Sequence, residues 1–84
     1  MYNVFWKPIA EQELAAIWLK STDRLSITVA ATQADTLLAL IPLEIGESRT
    51  STVHRIAFCL PLGVEYEVVE DDKIVIVQGV FAVG

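Results

Sequence analysis

The chain of 84 residues contains one cysteine, one histidine and only six lysines and arginines, set against eleven aspartates and glutamates. A lone cysteine, Cys59, excludes an intramolecular disulfide framework and any multi-cysteine metal site. A reducing, intracellular compartment is the simplest setting for it. The net charge of −5 argues against general binding of DNA or RNA, because that affinity comes from neutralising phosphates. Long hydrophobic runs are also missing. The longest, "IVIV" through "GVFAV", is broken by Gln78 and Gly79, so no bilayer-spanning segment is expected. The opening "MYNVFWKPIAEQ" lacks the basic start and apolar run of a signal peptide. Repeats, linkers and low-complexity segments are absent too, and residues 1–84 are expected to form one domain.

Apolar residues, by contrast, are abundant at 54%, and only 20% are charged, so disorder is excluded and one core of modest stability is expected. "YNVFW" at 2–6 alternates aromatic and β-branched side chains and reads as a strand. Pro8 suits the first turn of a helix, where its missing N–H costs nothing. "IAEQELAAIWLK" then sets Ala10, Leu14, Ile17 and Trp18 on one face. "STD" offers Ser21 or Asp23 as the cap of a second helix. In that helix Ile27, Ala30, Ala31, Ala34, Leu37, Leu38 and Ile41 recur at helical spacing, with small alanines that permit close approach of a neighbouring helix. Pro42 ends it near Ile41.

Three strands follow: "TVHRIAFCL", then "VEYEVV" after the turn "PLG", then "KIVIVQGVFAV" after the acidic turn "EDD". Val64, Tyr66 and Val68 alternate with Glu65 and Glu67, as in a sheet with one covered and one wetter face. The last strand is apolar almost throughout and suits a central place in the sheet, with Gly79 marking a bulge. The expected fold is α+β, of order β-α-α-β-β-β: a two-helix hairpin packed on one face of a mostly antiparallel four-stranded sheet. Ile27, Ala34, Leu37 and Ile41 are expected to be buried against Val64, Tyr66 and Val68.

One stretch departs from this plain pattern. "EIGESRTSTVHR", residues 44–55, holds two of the six bases, the sole histidine and two glutamates. It reads either as an anion site or as a solvated loop between helix and strand. "PLEIG" also suits a loop that tucks Leu43 and Ile45 under the sheet, with Gly46 supplying a turn conformation.

The order, the length and a collinear series of phrases resemble the RelE/ParE superfamily of bacterial toxins, including plasmid stabilisation proteins, from type II toxin–antitoxin systems. The phrases are "Y-x-V-x-W-x-P-x-A-x-x-x-L" at 2–14, "IW" at 17–18 and "DRLSITVAATQADTLLALIPLEIGESR". "R-x-x-F-x-x-PLGVEYEV" and "EDDKIVIV" complete the series. The resemblance implies a cognate antitoxin as partner. It implies either cleavage of messenger RNA on the ribosome or inhibition of DNA gyrase, both in the cytoplasm and without a membrane, metal or cofactor. Self-association through exposed apolar surface is expected when the antitoxin is absent.

RNA cleavage of this kind needs a base for the 2′-hydroxyl, an acid for the leaving oxygen and a cation for the phosphate. The candidate residues are Arg55, Arg49, Glu47 and His54, with Glu44 beside them. Arg49 and Arg55 match positions at which the family carries bases, and a strand would hold Arg55 rigidly. The alternative is that both arginines cover apolar surface and pair with nearby glutamates. Adjacent strand residues point to opposite faces, so His54 and Arg55 line one site only if a bulge intervenes. Glu44 or Glu47 is a base in the functional reading and a solvated loop residue in the other. Cys59 is expected to be a buried thiol, and Trp6 and Trp18 core or antitoxin-facing residues. RNA-cutting relatives carry a tyrosine or histidine with basic neighbours near the C-terminus. Here "QGVFAVG" puts Phe81 in that place, and no base follows Lys73. A phenyl ring exchanges no protons, so RNA cleavage is expected to be weak or lost, leaving a non-catalytic binding protein as the other function.

Overall fold

A computed structural model describes residues 1–48 and 54–83. Strand β1 (Asn3–Trp6) leads into helices α1 (Pro8–Lys20) and α2 (Arg24–Leu40), followed by strands β2 (Gly46–Ser48), β3 (His54–Cys59), β4 (Leu62–Val69) and β5 (Ile74–Ala82). The sheet order is β1-β5-β4-β3-β2, with β1 parallel to β5 and the other pairings antiparallel.

The helix ends follow local chemistry. Pro8 opens α1, and Asp23 caps α2 by accepting the Ser26 N–H at 3.1 Å. Ser21 supports that cap from behind, its hydroxyl accepting the Asp23 N–H at 3.0 Å. Helix α2 ends at Leu40, and Ile41 leaves helical geometry with φ −139° before Pro42. Arg24 closes α1: its guanidinium donates to the Trp18 and Leu19 carbonyls, both at 3.1 Å, and lies 4.5 Å from the Trp18 ring centroid.

Both helices lie on one face of the sheet, in a single apolar core. Ala10, Ile27, Ala30, Ala34 and Leu38 meet Ala57, Cys59, Leu62, Val64, Tyr66, Val68, Val75, Val77 and Val80 there. The expected α2 face needs correction at its end. Ile27 and Ala34 are buried, Leu37 is half-buried and Ile41 is 36% exposed, because the chain has turned out of the helix before reaching it. Trp18, placed on the inner face of α1 by spacing, is 37% exposed.

Among the described residues the sheet has five strands rather than four. The fifth, β2, has only Gly46, Glu47 and Ser48, a polar run too short to show alternation. It pairs with β3 by setting Gly46 opposite Ala57, Glu47 opposite Ile56 and Ser48 opposite Arg55. Strand β5, expected at the centre, is instead second from one edge, between β1 and β4, and the central place belongs to β4; pairing on both sides is enough to suit its apolar run. The bulge lies beside Gly79. Glu65 faces Gly79 while Tyr66 faces Val77, leaving Gln78 as the extra residue. This one-residue phase change puts Val80, rather than residue 79, beside Val75 and Val77 in the core.

Candidate functional site

The stretch that the sequence singled out is divided by the sheet. Arg55 shares the helix-facing side of β3 with Ala57 and Cys59, directly across from Tyr66 on β4. Its guanidinium donates to the Leu43 carbonyl at 2.8 Å and to the Gly46 carbonyl at 3.3 Å. The Tyr66 hydroxyl donates to the Pro42 carbonyl, inside the core. Two side chains on neighbouring strands thus satisfy three backbone acceptors along the run from the end of α2 into β2. Burial pushes the Tyr66 phenol upward, and the nearby Arg55 charge tempers that rise. Gly46, an extended strand residue, serves here by lacking a Cβ, not by adopting a special turn conformation. A Cβ there would overlap the Tyr66 hydroxyl. Leu43 is exposed and Ile45 half-buried, so only the latter tucks against the core.

His54 and Glu47 lie on the other face. His54 stands opposite Glu67 on β4, and Glu47, which is exposed, stands opposite Ile56. Glu67 accepts a hydrogen bond from Gln78 Nε2 at 2.9 Å. No bulge interrupts β3 between His54 and Arg55, so the two do not share a site. Glu44 is exposed in the turn before β2, with its backbone N–H on the Ile41 carbonyl at 3.0 Å. Arg49 lies outside the described residues. Phe81 joins the His54 face, edge-on to Phe58 with ring centroids 6.1 Å apart, both rings flanking Gly63. Arg55 and Phe81 therefore lie on opposite faces of the sheet. Cys59 is buried in the core, where desolvation raises its thiol pKa and suppresses the thiolate.

The helices form a second feature, an apolar groove of about 410 Å3 between α1 and α2. Trp6, Leu14, Trp18, Ile27 and Ala31 line it, with Glu11 at the rim. Both indoles keep their polar ends satisfied: Trp6 Nε1 donates to Asp35 at 3.0 Å and Trp18 Nε1 to Thr28 at 3.2 Å. Their rings line the groove, although the Arg24 guanidinium also lies against that of Trp18.

Glu13 is a structural residue that the sequence reading passed over. Strand β1 pairs with β5 only as far as Val77, and beyond it Glu13 on α1 accepts the Val80 N–H at 3.1 Å. The signal was present: a carboxylate at position 13 among Ala10, Leu14 and Ile17, at core-facing spacing, needs a buried or edge donor.

No helix among the described residues is long and apolar enough to cross a membrane. No family model matches the sequence, and no curated protein matches it. Solved structures do. The RelBE2 toxin–antitoxin complex of Mycobacterium tuberculosis aligns with a TM-score of 0.77 at 19% identity, covering 96% of each chain. The isolated RelE toxin of E. coli gives 0.70 at 15% identity, over 100% of this chain and 86% of that one. The ParDE system of P. aeruginosa gives 0.70 at 16% identity, over 100% and 98%. Sequence resemblance and backbone agree, and the chain has the fold shared by RelE and ParE toxins.

Proposed function

We propose that this chain is the toxin-family component of a type II toxin–antitoxin system, acting in the cytoplasm and neutralised by a cognate antitoxin, with RNA cleavage weak or lost. The observation that carries the proposal is fold likeness over nearly the whole of both chains to proteins solved as toxin–antitoxin complexes. The apolar groove between α1 and α2 supports it, since a walled apolar channel on so small a domain suits a partner segment.

A non-catalytic reading is the second: a ParE-like inhibitor of gyrase or a degenerate, non-toxic partner of the antitoxin. It is favoured by what surrounds Arg55. The guanidinium is engaged by loop carbonyls on one face, and Phe81 packs edge-on to Phe58 on the other, so the acid, base and cation needed for RNA cleavage do not converge among the described residues. Ribosome-bound messenger RNA and gyrase are the alternative targets.

The test is induced expression of the chain with and without a small open reading frame adjoining its gene. Growth arrest relieved by that frame, with co-purification of its product, supports the pair. Arrest that the frame does not relieve, or no co-purifying product, removes the antitoxin relationship. Inert expression with a bound product selects the degenerate form.

A further inference from the structure

The face of the sheet turned from the helices is uncovered by any described element. Strand register lays Phe5, Ile76, Glu67 and His54 across it in one row. The next row runs Glu65, Ile56, Glu47, and the third carries Phe81, Gly63 and Phe58. Phe5 is 56% exposed and Phe58 53%, while Ile56, Ile76 and Phe81 are half-buried. Glutamates thus alternate with large apolar side chains over several strands. No strand position on this face is a lysine or arginine among the described residues. Arg55 lies on the opposite face, and Lys7 and Lys73 stand at the margins, outside the strands.

We infer that this face is an interaction surface for a cationic amphipathic polypeptide segment. Its apolar side chains cover Phe58, Phe81, Ile56 and Ile76, and its lysines or arginines meet Glu47, Glu65 and Glu67. The chemistry selects this occupant. An uncharged apolar partner would strip water from three carboxylates and give them nothing in return. A nucleic acid would bring phosphates against the same carboxylates, in the field of a chain of net charge −5. A cationic amphipathic segment removes the aromatic surface from water and pairs the carboxylates in the same step. The inference goes beyond the proposed function by fixing the charge of the partner, and it stands or falls independently of whether induction is toxic.

The experiment titrates the isotope-labelled full chain with a Lys/Leu amphipathic helical peptide of about 18 residues. A Glu/Leu peptide of the same pattern and a single-stranded oligouridine are titrated in parallel. The Lys/Leu peptide is expected to shift the amides of residues 54–58, 63–67 and 76. Its affinity is expected to fall about tenfold in the Glu47→Lys, Glu65→Lys double variant, and to weaken with added salt. Both positions are exposed, so the variant keeps its fold, which circular dichroism checks. Glu65→Gln alone is expected to give a smaller loss in the same direction. Absence of binding overturns the inference. So does equal binding of the Glu/Leu peptide, RNA binding on this face, or shifts confined to the groove between α1 and α2.

Discussion

Gly46 and Tyr66 occupy one space. The tyrosine ring lies where a side chain at residue 46 would stand, and a Cβ there would overlap the hydroxyl and come within 2.8 Å of Cζ. Tyr66 is only 1% exposed, and close-packed interiors give a buried ring little room to shift. Gly46→Ala is therefore expected to destabilise the protein by about 1–3 kcal/mol, the usual cost of overpacking. Adding Tyr66→Phe removes the closest atom and should recover part of the loss, so the two changes will be non-additive in urea melts. Additive losses would mean that the glycine is needed for another reason.

Arg55 acts on the same segment from the neighbouring strand. Its donors hold the Leu43 and Gly46 carbonyls, and the edge strand β2 begins at Gly46. Arg55→Ala is expected to cost about 1–2 kcal/mol, through lost charge-assisted hydrogen bonds to a partly exposed group. Arg55→Lys should restore only part of the loss: one nitrogen, Nη2, makes both bonds, and the shorter lysine stem has to bring its ammonium to that same point. Hydrogen exchange should show faster opening at Gly46–Ser48 than at β4. Unchanged stability, together with lost phosphate binding, would return Arg55 to the functional reading.

The buried phenol and thiol give the fold an alkaline limit. Burial raises the pKa of Cys59 and, against the opposing Arg55 charge, that of Tyr66. A raised folded value means that stability is complete below the unfolded value and falls as pH rises from there through the folded value. For Cys59 the decline starts near about pH 8.5 and for Tyr66 near about pH 10, where the unfolded chain ionises. Tyr66→Phe should flatten the upper part of the decline and Cys59→Ala the lower part. Urea midpoints measured from neutral to strongly alkaline pH check both. On the acid side Asp23 works oppositely. Its carboxylate is held below the usual range by hydrogen bonds from Ser26, so the α2 cap contributes above the unfolded value and is lost as pH falls through the folded one.

Strong periodicity made most of the fold legible in the sequence. The apolar spacing of both helices, the Pro8 start, a Ser21 or Asp23 cap, the Pro42 stop and the alternation of Val64, Tyr66 and Val68 each obey a local rule. The structure follows them except at the helix ends, where Trp18 and Ile41 are exposed. What local rules do not carry was harder to read. Strand β2 exists because β3 offers an edge and because Arg55 and Tyr66 pin the segment before it, all of which depends on residues distant in sequence. The bulge was marked by Gly79, but its exact place, with Gln78 as the extra residue, was not legible. The candidate site suffered most. A cluster of chemically able residues at 44–55 looks like one site on paper, but strand alternation sends Arg55 to the helices and His54 and Glu47 to the open face. The alternation that separated His54 from Arg55 was visible beforehand. The pairing of Arg55 with Tyr66, and with it the arginine's hold on the loop, was not.

The remaining prediction concerns activity. RNA cleavage without a metal needs a proton acceptor, a proton donor and a cation around one phosphate. Arg55 is bonded to loop carbonyls on the helix side of the sheet, whereas His54, Glu47 and Phe81 lie on the other. Positioned acid–base groups each contribute about 10²–10⁴-fold to rate, so their dispersal predicts weak or absent cleavage of ribosome-bound RNA. The net charge of −5 acts in the same direction, slowing encounter with a polyanion and weakening its hold. Mapping transcript ends after induction is the decisive measurement, with wild type compared against Arg55→Ala and His54→Ala. No codon-phased cuts above background are expected in any of the three. Strong phased cuts that survive in Arg55→Ala but vanish in His54→Ala would place the chemistry on the open face of the sheet. Cuts lost only with Arg55, in a variant that remains folded, would show that the guanidinium leaves its carbonyls to bind the phosphate.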